Sequence, residues 1–184
     1  MRLLPYILLA YVALALQVGA GRYLQWHGAQ PMLPLMAVVF IALNAPKDAA
    51  LLAAFGVGLL QDLLSAQPIG LFGFAYGTAA ALVTATQSVV YRGHPLTHAL
   101  MTLLGGLVTM GVLLLHTLIH PIPLSRAALD AAAVGTSVRT PPMTLLIGVG
   151  YSAVLAPIVV GVLNKLRRLF AFQQPKRSAG AMYR

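Results

Sequence analysis

Apolar runs separated by short polar turns, charged within only at Asp62, occupy most of this chain, at residues 3–19, 32–43, 49–64, 70–90, 98–119 and 143–163. Apart from the second, each is roughly 16 to 22 residues long, the length of a helix that crosses a hydrocarbon layer about 30 Å thick. Membrane barrel strands are shorter, about ten residues, and alternate apolar with polar positions. These runs do not alternate. The pattern therefore predicts an all-α integral membrane protein, a bundle of about six transmembrane helices, because only helices and closed barrels satisfy every backbone polar group in lipid.

Composition supports this. Hydrophobic residues make up 59% of the 184 and charged residues only 8%, against about one quarter charged in a soluble domain. Such a chain cannot cover a water-facing surface. The expected organisation is one polytopic membrane domain, residues 1–170, followed by a basic cytoplasmic tail, residues 171–184. The first run exceeds the apolar core of a signal peptide, usually about 7 to 15 residues, and reads as the first helix of the bundle.

The second run is the exception. At 1.5 Å per residue it gives about 18 Å, well short of the hydrocarbon thickness, and Pro34 lies within it. It is either extended by its flanks or enclosed by the rest of the protein. The connection 120–142 is the longest, broken by Pro121, Pro123, Pro141 and Pro142, with residues 125–134 as a candidate amphipathic surface helix. Pro157 interrupts the last run, a position that neighbouring helices can tolerate in a membrane bundle.

Charge sets the expected orientation. The formal net charge is +9, which in a soluble protein would point to nucleic acid. Here the charge gathers after the last run, in Lys165, Arg167, Arg168, Lys176, Arg177 and Arg184, where a cytoplasmic flank beside anionic lipid explains it without nucleic acid. With the amino terminus inside and six crossings, Arg2, Lys47 and Arg92 join that tail on the cytoplasmic side. Only Arg22, Arg126 and Arg139 fall outside, so both termini are expected in the cytoplasm.

The residues offer little catalytic chemistry. Cysteine is absent, so thiolate nucleophiles, thiolate metal sites and disulfides are excluded. No glycine-rich loop ends in Lys-Ser or Lys-Thr to cradle phosphate, and no Gly-x-Ser-x-Gly elbow occurs. Glutamate is absent and Asp62 is the only acid inside an apolar run, so paired-carboxylate chemistry lacks its parts. His116 and His120 share a helical face at metal-binding spacing, but no third ligand is near in sequence. Neither an enzyme nor a cofactor is expected.

The most informative stretch is Gly58-Leu59-Leu60-Gln61-Asp62-Leu63-Leu64, a short turn, and Gly70. Asp62 near a helix end has four readings: a buried anchor for a loop, a partner contact, a coupling-ion ligand, or a residue bonding local backbone or Ser65. Gly73 and Gly77, at small-xxx-small spacing, are candidates for close helix packing, since lipid supplies no hydrophobic drive between helices.

This stretch, preceded by an apolar helix with proline at its entry over residues 31–45, resembles the MreD family of rod shape-determining proteins. Ala156-Pro157 in the last helix, followed by Asn164-Lys165-Leu166-Arg167-Arg168-Leu169-Phe170, is similar to the family's ending. The resemblance implies structural roles for Gly58, Asp62, Gly70 and Pro157, with Lys165, Arg167 and Arg168 facing lipid. It also implies a non-catalytic place in the bacterial cytoplasmic membrane beside MreC, RodA, a class B penicillin-binding protein and, directly or indirectly, MreB filaments, in support of side-wall peptidoglycan synthesis. The alternative is a substrate-binding membrane subunit of an energy-coupling-factor type importer, a six-helix fold to which the family is thought to be similar.

Overall fold

A computed structural model of the chain describes residues 4–21, 23–24, 29–65, 68–86, 95–119 and 142–170. Among them run six helices: α1 (Leu4–Ala20), α2 (Leu33–Asn44), α3 (Lys47–Leu64), α4 (Leu71–Thr86), α5 (Pro95–Ile119) and α6 (Pro142–Phe170). The candidate surface helix at 125–134, most of the connection at 120–142, His120 and the basic tail at 171–184 lie outside the described residues.

The short second run is enclosed. Every residue of α2 from Pro34 to Asn44 is buried, and its side chains contribute to both hydrophobic clusters of the molecule. One cluster joins Leu35, Val39 and Leu43 to Tyr76, Ala79 and Val83 of α4 and Met101 of α5. The other joins Phe40 and Ile41 to Leu9 of α1, Ala50 of α3 and Val160 of α6. A helix apolar on all sides is a core helix, and with protein around it α2 needs no length to match lipid.

The surrounding helices carry apolar side chains outward. Tyr11, Leu52, Leu115 and Val154 are among many large ones left exposed, an arrangement a soluble monomer avoids and a lipid-facing surface requires. Two helices, over Leu96–Ile119 and Leu145–Leu163, are long and apolar enough to cross a membrane by themselves. In α6 the helix continues through Pro157 to Phe170.

Contacts define the helix directions. Asp62, near the end of α3, touches the first turn of α4, so these two form an antiparallel pair. A Cβ on Gly105 would lie 3.7 Å from Ala79, and Thr86 Oγ1 lies 3.5 Å from Met101 Sδ. Helix α5 therefore runs against α4. The most extensive packing is between α3 and α4 and between α5 and α6.

Candidate functional site

Asp62 is 2% exposed, and its carboxylate is spent on the neighbouring helix. Oδ2 accepts the backbone N–H groups of Gly70 at 2.9 Å and Gly73 at 3.1 Å, and Oδ1 accepts that of Phe72 at 2.9 Å. The first N–H groups of any helix lack intrahelical acceptors and carry the positive end of its dipole. Gly70, immediately before α4, has no side chain with which to cap them, and Asp62 does so from across the corner. Its charge is compensated by three donors and a dipole in place of water. Each such charge-assisted bond contributes about 1.5 to 3 kcal/mol.

The corner depends on three glycines. Gly70 has φ of +101°, a backbone conformation that a side chain would strain. Gly58, one turn before Asp62, lies against the α4 backbone: a Cβ there would meet the Phe72 carbonyl and come within 2.6 Å of the Gly73 Cα. Gly73 returns the contact, since a Cβ on it would sit 3.2 Å from the Phe55 ring. Gln61 adds a polar link, accepting a 2.7 Å bond from the Tyr76 hydroxyl, and the Tyr76 and Phe72 rings lie 5.7 Å apart.

Of the four readings of Asp62, two meet in the structure: its side chain is buried and accepts backbone N–H groups across the corner. The Ser65 hydroxyl donates to the Asp62 main-chain carbonyl, at 3.3 Å, and not to its carboxylate. Gly58, Asp62, Gly70 and Gly73 come together here. Gly77 does not join them, for a Cβ on it would meet nothing within 4 Å. Pro157 and Lys165 lie elsewhere, both in α6 with Lys165 exposed, while Arg167 and Arg168 fall in the same helix with side chains outside the described set. His116 lies on α5, and no group of three potential metal ligands forms among the described residues.

A second polar cluster was missed in sequence. The start of α2 is capped from two other helices: Gln17 Oε1 of α1 accepts the Leu33 N–H at 2.9 Å, and Ser152 Oγ of α6 accepts the Met32 N–H at 2.8 Å. Ser152 in turn donates to the Gly148 carbonyl at 2.7 Å. Near the Asp62 corner, Gln17, Gln30, Gln61 and Ser65 edge a crevice of about 30 Å³, room for a water molecule. Pro34 inside a short apolar run was the available signal, because a buried helix start must find donors' partners somewhere.

These features define a helical membrane protein whose polar residues hold its helices to one another and whose apolar surface faces outward. Residues 1–166 match the family model described as rod shape-determining protein MreD. The chain belongs to the MreD family, a membrane family that acts in determining rod shape. No curated protein and no solved structure gave a significant match.

Proposed function

We propose that this chain is a multi-pass protein of the bacterial cytoplasmic membrane, with six crossing helices and both termini in the cytoplasm, and a non-catalytic member of the cell-elongation complex. Family membership over residues 1–166 is the observation that carries this reading. The antiparallel course of α3, α4 and α5 fits successive crossings, and the basic residues after Asn164 fit a cytoplasmic end beside anionic lipid.

In this role the protein works through helix surfaces. MreC is the direct partner, and through the complex the chain meets RodA, the class B penicillin-binding protein and MreB filaments, supporting side-wall peptidoglycan synthesis. The buried α2 and the Asp62 corner keep the bundle in one shape, so that its outward apolar faces present a constant surface to lipid and to partner helices.

The test is affinity capture from crosslinked membranes of the native host, with mass spectrometry of what is recovered. MreC together with the elongation synthase is the expected result. Recovery of a pair of cytoplasmic ATPases with a coupling membrane subunit would replace this reading with the importer class.

A further inference from the structure

Buried and half-buried polar side chains in this bundle find partners close at hand. Thr78, Thr84, Thr86, Thr109 and Thr117 each return the hydroxyl to a carbonyl of their own helix, as helical threonines do when nothing else is offered. Asn44 donates to the Phe40 carbonyl at 2.9 Å. Thr102, 0% exposed, makes no such bond, and its Oγ1 has no partner. His98 is 5% exposed and its Nδ1 also has none. These two residues are one helical turn apart on the same face of α5, with side chains close enough to share a ligand.

Opposite them runs α6. Gly106 packs against Val149, where a Cβ would come within 2.6 Å of the valine side chain. The helices are antiparallel: α6 runs alongside α2, from the Met32–Ser152 bond to the cluster of Phe40, Ile41 and Val160, whereas α5 runs against α2, because α2, α3, α4 and α5 alternate in direction along the chain. Following that register one turn from Gly106 and Val149 sets Thr102 at the level of Ala153, and a further turn sets His98 near Ala156 and Pro157. Ala153 and Ala156 are buried and carry only short side chains on this face. Pro157 has no N–H, so the Ala153 carbonyl loses its helical donor at this level.

We infer that a water molecule is bound between α5 and α6, held by His98 Nδ1, Thr102 Oγ1 and the Ala153 carbonyl that Pro157 leaves unpaired. Two acceptors and a hydroxyl supply the two to four polar partners a buried water needs. The water donates to His98 Nδ1 and to the Ala153 carbonyl and accepts from the Thr102 hydroxyl, which satisfies all three groups. The imidazole is then neutral with its proton on Nε2. Such a site fastens α5 to α6 and gives the proline a structural reason to stand in the middle of a helix.

Radiolytic hydroxyl labelling tests this, because radicals formed from a bound water modify the side chains beside it. The full-length protein in lipid nanodiscs is exposed for milliseconds, and each residue's rate is divided by that of its free amino acid. His98, 5% exposed, is expected to label at least several-fold faster than Met36, which is 0% exposed and lies in the dry core. Thr102→Val should bring the His98 rate down several-fold, while Thr102→Ser, which keeps the hydroxyl, should retain it. A His98 rate as low as that of Met36 in the unmodified protein would overturn the site, as would a rate that Thr102→Val leaves unchanged. The comparison within the unmodified protein stands even if the valine variant does not fold.

Discussion

Gly70 donates its N–H to Asp62 Oδ2 across 2.9 Å, which ties the residue that turns the chain to the last turn of the previous helix. One side chain thereby closes the α3–α4 corner and caps α4, and the same carboxylate also holds Phe72 and Gly73. Asp62→Ala leaves those buried N–H groups without an acceptor, at about 1 to 3 kcal/mol for each buried one. Loss of about 3 kcal/mol or more is expected, read as a lowered melting temperature in detergent or as failure to recover folded protein. Asp62→Asn should fall between, because the amide keeps one acceptor oxygen and turns a donor toward the backbone. Unchanged melting of both variants would remove the cap from the account.

The close approach of α3 and α4 makes a second expectation. Gly58→Ala sets a methyl against the Phe72 carbonyl and the Gly73 Cα, backbone atoms that cannot rotate away. The helices must separate, at a cost of about 1 to 3 kcal/mol by analogy with overpacked cores. Gly77→Ala has open space around it and should change stability by less than about 0.5 kcal/mol. Paired melting curves read the contrast, and equal effects at the two positions would mean that Gly58 is not where the helices meet.

The caps on α2 give a third. Ser152→Ala removes the acceptor of the Met32 N–H and Gln17→Leu that of the Leu33 N–H. Each should cost about 1 kcal/mol, the usual effect of losing a helix cap. The two act on adjacent donors at one helix start, so the double variant should depart from the sum of the singles. Strict additivity would indicate that the two contacts hold α1 and α6 independently.

How far these features could be read in advance depends on where their signals lie. Helix number and class followed from the apolar runs, since period and length are local properties of the chain. Asp62 stood out because a lone acid in an apolar run must be compensated by something. What compensates it was not legible: its donors are backbone N–H groups, which every residue carries and no residue type announces. The caps on α2 were hidden for the same reason, with Gln17 and Ser152 distant in sequence from the N–H groups they serve. Gly73 and Gly77 show the limit of a spacing motif, because the same small residue fills a contact at one position and meets open space at the other.

The end of α6 carries the last prediction. Helix α6 spans 29 residues, about 43 Å at 1.5 Å per residue, which exceeds the hydrocarbon thickness of about 30 Å. Its apolar stretch ends at Leu163, so in the proposed orientation its final turns leave the apolar layer, and they carry the exposed Lys165 together with Arg167 and Arg168. Beside an anionic inner leaflet each cation is attracted by about 1 kcal/mol. Changing Arg167 and Arg168 to Glu replaces two attractions with two repulsions and reduces the basic bias that, in the proposed orientation, retains this end in the cytoplasm. A fluorescent protein fused after Arg184, which matures in the cytoplasm and stays dark when exported by the general secretory route, should be bright in the parent and dimmer in the variant, at equal amounts of membrane-inserted chain. Undiminished brightness would show that the apolar helices alone set the orientation of this end.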